Sequence, residues 1–192
     1  MSLSPFAFDQ NVTHWVLGIR GEPWNSLWQM VTVLGDTLTL TLVVIAVFVL
    51  AWMGNRIDLA ALIAAGTLSG YALMSILKHT FGRQRPPIAD RLIDVGGLSF
   101  PSGHAMMSTV VYGLAAVICY RLYAWVREHP LVLAVAPLLA VVVGLSRVYL
   151  GAHWLSDVLV GWTLGAVWIA VCLIAHAQIS PWVRARTEPS AA

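Results

Sequence analysis

Long apolar runs occupy most of this chain, and each is about as long as a lipid bilayer is thick. A helix needs about 20 predominantly apolar residues to cross the hydrocarbon core. Hydrophobic residues make up 59% of the sequence and charged residues 10%, whereas soluble domains average about 45 to 50% and about 25%. A soluble globular protein is therefore excluded, and the sequence predicts an all-α, polytopic membrane helix bundle with five or six transmembrane helices. The apolar runs cover residues 28–53, 59–78, 103–121, 131–150 and 155–177.

The two ends of the chain are expected to lie outside a single transmembrane domain, which we assign to residues 29–180. Residues 1–28 lack the basic start, apolar core and cleavage site of a signal peptide, so we expect them to be retained. Their apolar side chains recur at helical spacing, which predicts an amphipathic segment at the membrane interface. Residues 181–192 are expected to form a disordered cytoplasmic tail. The helically spaced apolar positions are Phe8, Val12, Trp15, Val16 and Ile19.

The chain offers little to partners other than lipids. A net charge of +2 without a run of Lys or Arg argues against nucleic acid as a partner. Two small-residue motifs, Gly66-xxx-Gly70 and Gly161-xxx-Gly165, indicate close helix packing. Packing within one bundle is the interpretation that we favour, and a homodimer is the alternative.

Polar residues gather in three clusters, each next to the end of an apolar run. An ionisable residue at the centre of a bilayer costs about 2.5 to 3.5 kcal/mol, so such clusters predict a functional site. Counting the runs places the ends of the second and fourth, and the starts of the third and fifth, on one side of the membrane. The three clusters should therefore meet. They are Lys78 with Arg85-Pro86, then Pro101-Ser102-Gly103-His104, then Ser146-Arg147 with His153 and Asp157.

His153 and Asp157 stand four residues apart at the start of the fifth run, hence on one face of a helix. The carboxylate can accept a hydrogen bond from one imidazole nitrogen and leave the other nitrogen free as a nucleophile. Alternatively, the two residues satisfy each other's polarity at the membrane boundary. The spacing by itself leaves both interpretations open.

The other two clusters carry groups that suit an anion. Ser102 and Gly103 precede an apolar helix, so unpaired amides of its first turn can face an anion, although a simple helix cap is the alternative. Lys78, Arg85 and Arg147 bring three cations to one region from three segments. Arginine's planar fork matches phosphate oxygens, while each cation taken alone could instead reach toward lipid headgroups. Together these residues favour a phosphate site.

The combined pattern resembles the three signature motifs of the type 2 phosphatidic acid phosphatase (PAP2) superfamily. All eleven specified letters are present, and the motifs cover residues 78–157. Members of this family commonly have six membrane segments. The resemblance implies a membrane phosphatase that uses neither a metal nor another cofactor. The matching stretches are Lys78-x6-Arg85-Pro86, Pro101-Ser102-Gly103-His104 and Ser146-Arg147-x5-His153-x3-Asp157.

The resemblance also implies a role for each matched residue. His153 would attack phosphorus and form a phosphohistidine, with Asp157 orienting its ring. His104 would protonate the departing oxygen and later activate water. The phosphoryl oxygens would be held by a set of polar groups, with Ser146 as a supporting residue. That set is Lys78, Arg85, Ser102, the Gly103 amide and Arg147.

Two charged residues outside the motifs each have two interpretations. Arg83 is a supporting candidate that either adds phosphate affinity or faces lipid headgroups. Asp36, inside the first apolar run, is expected either to cap a shorter helix or to be a buried acceptor, and we do not assign it to the site.

Several substrates and activities fit this resemblance. The chain is similar to enzymes that hydrolyse undecaprenyl diphosphate, which is the expected substrate; phosphatidylglycerophosphate and phosphatidic acid are the alternatives. A lipid phosphotransferase would use the same phosphohistidine, and a noncatalytic anionic-lipid binder or transporter would need only the cations. Vanadium haloperoxidases share the motifs but are soluble. An excess of arginines on the opposite side predicts a cytoplasmic-membrane protein whose site faces the extracytoplasmic side.

Overall fold

The computed structural model describes residues 3–187, with side chains described as far as residue 179. Within this range the regular elements are all helical, which confirms the predicted all-α bundle. Short 3-10 turns cover Val33–Gly35, Ile88–Asp90 and Pro130–Ala134. The helices are α1 (Ala7–Ile19), α2 (Trp24–Thr32), α3 (Thr37–Met53), α4 (Ile57–Phe81), α5 (Gly103–Leu122), α6 (Ala124–Glu128), α7 (Val135–Tyr149) and α8 (Leu155–Thr187).

Four described segments are long and apolar enough to cross a membrane, namely α4, α5, α7 with its preceding 3-10 turn, and α8. Residues Trp24–Gly35 and Thr37–Met53 form a fifth span if they are taken together, with a bend of 44° between them. The predicted first span, 28–53, is therefore wrong as one continuous helix. Gly35 has low helix propensity and Asp36 has an extended backbone at φ −69 and ψ 150, so the helix stops there and starts again.

Helix α5 forms the centre of the bundle and packs against α3, α4, α7 and α8. Its fully buried side chains include Met107, Val110 and Leu114. Gly161 and Gly165 let α8 approach α5, since a Cβ added there would meet Ser102 O at 2.9 Å and Met106 O at 2.8 Å. These glycines serve packing within one chain, as we favoured, and a homodimer stays a prediction.

The N-terminal segment is helical, as expected, and it packs on the bundle end where the polar clusters meet. Val16 is buried against Leu150 and Val158. Arg20, which follows α1, donates hydrogen bonds to the carbonyl oxygens of Tyr149 and Asp90. Helix α1 is 13 residues long, which is shorter than a membrane span.

The C-terminal end differs from the expected disordered tail, because the backbone of α8 continues to Thr187. Extending an existing helix needs no new nucleus, and the Ala and Arg residues in 181–187 are good helix formers. Residues 188–192 lie outside the described part of the chain.

The connection 82–102 covers the end of the bundle. Gly82 ends α4 with a left-handed backbone at φ +58, a conformation that other residues adopt only with strain. Arg91 then folds the connection on itself by donating to the carbonyl oxygens of Pro86 and Val95. The Leu92 amide donates to Leu150 O at 3.0 Å, which fastens the connection to the end of α7.

Candidate active site

A cavity of about 260 Å³ opens at the end of the bundle where α4 ends and α5 begins. Tyr71, Met74 and Met107 give it an apolar wall. Both histidines of the sequence motifs line this one cavity, so the structure brings together clusters that lie far apart in the chain. The predicted site residues on the wall are Lys78, Arg85, Gly103, His104, Arg147 and His153.

His153 lies in the turn between α7 and α8, and its side chain is 2% exposed. Its Nδ1 is 3.5 Å from Asp157 Oδ2 and 3.4 Å from Ser99 Oγ. Its Nε2 accepts a hydrogen bond from Arg85 Nη1 at 3.0 Å. Burial lowers the pKa of His153 to about 3, against the pull of the Asp157 carboxylate. The ring is therefore neutral near pH 7 and has a lone pair on Nε2.

Asp157 is held from several directions at the start of α8. Its Oδ2 accepts hydrogen bonds from Ser99 Oγ at 2.5 Å and from the Trp154 amide at 3.0 Å. Its Oδ1 accepts from Arg83. The carboxylate is fully buried, so this set of donors replaces water and fixes its orientation toward His153. Ser99 was not predicted, because a serine in a polar connection carries no distinguishing pattern.

His104 stands in the first turn of α5 and pairs with Asp36, whose Oδ1 is 2.9 Å from His104 Nε2. Asp36 occupies the N-cap position of α3, but its side chain makes no capping hydrogen bond and is 48% exposed. Asp36 therefore stands at the start of a shorter helix, as one of the two expectations had it, but without a capping hydrogen bond, and the alternative of a buried acceptor is wrong. The break between α2 and α3 brings this carboxylate into the site, and an acidic residue within an apolar run was the signal for it.

The three cations on the wall are held by neutral oxygens. Lys78 Nζ donates to Leu98 O at 2.9 Å and to Pro101 O at 3.0 Å. Among the described side chains, no carboxylate lies within ion-pair distance of Lys78, Arg85 or Arg147.

The two arginines of this set, Arg85 and Arg147, are held by hydrogen bonds to neutral groups. Arg85 donates to the carbonyl oxygens of Gly96 and Ala152, and burial lowers its pKa. Arg147 Nη1 donates to Thr32 Oγ1 at 2.7 Å, while its buried Nε has no hydrogen-bond partner. The cavity therefore presents concentrated positive charge that suits a phosphate group.

Three candidate phosphate ligands do not reach the wall of the cavity. Ser102 Oγ is buried and accepts a long bond of 3.5 Å from the Ala105 amide, as a helix cap does. Ser146 Oγ donates to Val143 O in its own helix. Arg83 is 1% exposed and lies between Asp157 and Asp9, so it faces neither the cavity nor lipid headgroups. Its charge is already shared by two carboxylates, which is why it is unavailable to phosphate.

A bundle of membrane helices with two histidines and a cationic cavity at one end defines a PAP2-type membrane phosphatase. The chain matches the family model of the PAP2 superfamily over residues 58–180 and belongs to that family. The resemblance carried by the motifs is thereby confirmed.

Curated relatives and a solved structure agree with this assignment. The chain is 34% identical to phosphatidylglycerophosphatase B of Bacillus subtilis over 148 residues, 75% of this chain and 71% of that protein. It is 37% identical to decaprenylphosphoryl-5-phosphoribose phosphatase of Mycobacterium tuberculosis over 105 residues, 53% and 52% of the two chains. A crystal structure of a transmembrane PAP2-type phosphatidylglycerolphosphate phosphatase from Bacillus subtilis superposes with a TM-score of 0.84 at 28% identity, covering 90% of this chain and 86% of that one.

Proposed function

We propose that this membrane phosphatase removes phosphate from a lipid phosphate or pyrophosphate through a phosphohistidine on His153. The observation that carries the proposal is the shared cavity, in which His153 and His104 face a cluster of cations that no described carboxylate neutralises. Such a cluster stabilises the charge of a phosphoryl group in transfer.

In the first step, the Nε2 lone pair of His153 forms a bond to phosphorus while the bond from phosphorus to the leaving oxygen breaks. That oxygen is the lipid oxygen of a monophosphate or the bridging oxygen of a pyrophosphate. His104 gives its proton to that oxygen, and Asp157 stabilises the positive ring of the phosphohistidine through Nδ1–H. In the second step, water attacks phosphorus and gives a proton to His104 while the bond from phosphorus to His153 Nε2 breaks, so His153 is regenerated and inorganic phosphate leaves. Asp36 holds the His104 ring in place for both steps.

The reaction is proposed to need no metal, because Lys78, Arg85 and Arg147 supply the positive charge. Within the described residues, no three His, Cys, Asp or Glu side chains group as metal ligands would. The expected independence from metal stays a prediction, and it is tested by activity in EDTA. Complete loss of turnover in EDTA would contradict it.

The lipid tail is proposed to remain in the apolar part of the bundle while the headgroup enters the cavity. The apolar wall of Tyr71, Met74 and Met107 supports this division. The relatives' names cover a glycerophospholipid and a decaprenyl lipid, so both kinds of tail fit the proposal. Undecaprenyl diphosphate, expected from the sequence, is one candidate beside phosphatidylglycerophosphate and phosphatidic acid.

The purified protein in detergent is to be assayed for phosphate release from undecaprenyl diphosphate, phosphatidylglycerophosphate, phosphatidic acid and a soluble phosphate ester. We expect at least one lipid to be hydrolysed faster than the soluble ester. His153→Ala should abolish turnover. His79→Ala is the matched control, because His79 is exposed on α4 away from the cavity. Retained activity in the His153 variant would reject the phosphohistidine.

Two alternatives are separated by further measurements. A phosphotransferase would deliver the phosphoryl group to an added lipid or sugar acceptor, which mass spectrometry of the products detects. A noncatalytic binder would release no phosphate, and the phosphatase names of the relatives argue against it.

A further inference from the structure

A buried chain of ion pairs connects the N-terminal segment to Asp157, the carboxylate behind His153. Nη2 of Arg83 donates to Asp9 Oδ2 at 2.7 Å, and Nη1 of the same guanidinium donates to Asp157 Oδ1. The side chains of Asp9 and Asp157 are 0% exposed, and that of Arg83 is 1% exposed. Two carboxylates therefore share one guanidinium where water does not reach.

Ser156 forms a second link between Asp9 and the start of α8. The Ser156 amide donates to Asp9 Oδ1 at 2.8 Å, and its hydroxyl donates to Asp9 Oδ2 at 2.7 Å. The same hydroxyl accepts from Arg83 Nη1 at 2.7 Å. Asp9 thus binds an amide of the first turn of α8, where a negative charge is favoured by the helix dipole. It fixes both the guanidinium and the backbone from which Asp157 projects.

The rest of the N-terminal segment closes around the Arg83 guanidinium. Ser4 O accepts from Nη2 at 3.3 Å, and the ring of Phe6 lies 5.5 Å from the guanidinium carbon. The Phe6 amide donates to Asp9 Oδ2 at 3.0 Å. Burying a carboxylate such as Asp9 is costly unless it is paired and hydrogen-bonded. A helix that only lies at a membrane interface could leave this carboxylate in water, so the buried pairing with Arg83 calls for a further explanation.

We propose that Asp9 is a positioning residue for the phosphatase reaction, acting through Arg83 on the Asp157–His153 pair. The inference rests on the proposed function, since it takes His153 as the nucleophile. With Asp9 present, Arg83 is divided between two carboxylates, and Asp157 keeps enough negative charge to hold the Nδ1 proton of His153. Without the charge of Asp9, Arg83 pairs with Asp157 alone, and Asp157 becomes a weaker partner for the positive ring of the phosphohistidine.

Asp9→Asn is the first variant, because it removes the charge and keeps an oxygen that can accept from the Ser156 amide. Phosphorylation of His153 is measured by rapid quench with 32P-labelled phosphatidic acid, or with the panel lipid that wild type hydrolyses fastest. Rates are divided by the burst amplitude, which counts active sites. We expect phosphorylation to slow about 10- to 100-fold, the range found for residues that orient catalytic ligands, with KM changed less than about threefold.

Three further variants separate positioning from a merely structural role. Asp9→Glu keeps the charge and should restore most of the phosphorylation rate. Combined with Arg83→Gln, Asp9→Asn should add no further loss, because the group through which it acts is gone. Glu22→Gln, the same change at an exposed carboxylate after α1, should leave the rate unchanged. Should Asp9→Asn fail to fold, Arg83→Lys takes its place, since a lysine keeps the charge but lacks the planar fork with which Arg83 donates to Asp9, Asp157 and Ser156 together.

The outcomes are distinguishable. A wild-type protein that forms no phosphohistidine with any lipid of the panel overturns the proposed function and this inference with it. This inference alone is overturned if the wild-type protein is phosphorylated and Asp9→Asn, or Arg83→Lys in its place, is phosphorylated equally fast per active site. An equal loss from Asp9→Asn in the presence and absence of Arg83 also overturns it. A slow phosphorylation step with unchanged KM and rescue by Asp9→Glu supports it.

Discussion

The two histidines of the cavity differ mainly in the carboxylates beside them. His153 is buried, and its partner Asp157 is buried and held by Ser99 and Arg83. His104 is 23% exposed, and its partner Asp36 is about half exposed. A nucleophile benefits from a fixed, neutral ring, whereas a group that exchanges protons with a leaving oxygen and with water needs access to both.

Replacing Asp36 should affect proton transfer to the leaving oxygen. In Asp36→Asn, we expect single-turnover phosphorylation by octyl phosphate to slow about 10- to 100-fold, because the His104 ring loses the negative charge that stabilises its protonated form. With p-nitrophenyl phosphate the loss should be much smaller, since that leaving group departs without a proton. Asp94→Asn, at an exposed carboxylate, is the control. Equal losses with both esters would contradict the role given to Asp36.

The burial of His153 should make the protein less stable in acid. The pKa of this group falls from 6.5 in the unfolded chain to about 3 in the folded protein. Between these values the unfolded state binds more protons, so stability is full above pH 6.5 and is lost as the pH falls. The loss amounts to about 2 kcal/mol by about pH 5, at 1.36 kcal/mol for each pH unit.

Thermal unfolding in detergent at pH 7 and pH 5 measures this effect. Compared with His153→Asn, which cannot titrate, wild type should lose more of its Tm on acidification. His79→Asn, at an exposed histidine, should follow wild type. The expectation would be contradicted if the difference in Tm between wild type and His153→Asn were the same at pH 7 and pH 5.

At the scale of helices, the contact between α5 and α8 depends on two positions without side chains. Gly165→Ala should destabilise the protein by about 1 to 3 kcal/mol, because its Cβ would meet Met106 O at 2.8 Å and Thr109 Cβ at 2.7 Å. The Tm in detergent measures the loss. Gly18→Ala in α1, where nothing lies within 4 Å, should not lower the Tm. Equal Tm values for the two variants would show that α8 tolerates a wider separation.

The helices themselves could be predicted well from the sequence, because apolar runs of bilayer length have few other solutions. The break at Asp36 was only one of two expectations for that residue, since one acidic residue changes the average hydropathy of a long run very little. Whether Asp36 interrupts a helix depends on the hydrogen-bond partner of its side chain. That partner is His104, which is far away in the sequence and could not be paired with Asp36 in advance. The continuation of α8 beyond residue 180 was missed for a related reason, as polar composition alone does not end a helix.

For the molecule as a whole, the meeting of three polar clusters followed from the alternating direction of successive spans. The motif residues on the cavity wall were therefore predictable, and so was the closeness of His153 and Asp157. The hydrogen-bonded network of Asp9, Arg83 and Ser156 behind these residues was not predictable. Nothing in the sequence distinguishes Asp9 from a solvated carboxylate on an amphipathic helix, and Arg83 next to a motif of cations suggested phosphate binding instead of pairing with carboxylates.

The orientation in the membrane is open to a direct test. Arg121 and Arg127 lie at the end of the bundle opposite the cavity, and the positive-inside bias favours a cytoplasmic position for that end. We expect Ile88→Cys, in the exposed connection over the cavity, to react with an impermeant maleimide in intact cells. Glu128→Cys in α6 should react only after permeabilisation. Both variants need Cys119 and Cys172 replaced by Ala, and the reverse labelling would invert the proposed topology.

The cations of the cavity also bear on how the reaction ends. Their hydrogen bonds go to neutral groups, namely carbonyl oxygens, a hydroxyl and the His153 ring, so the positive charge proposed to receive a headgroup is still present after the lipid has departed. Inorganic phosphate has the same oxygens as the transferred group and should linger there. We therefore expect departure of the product to limit turnover, and free phosphate on the side of the membrane that the cavity faces should slow this phosphatase by simple competition.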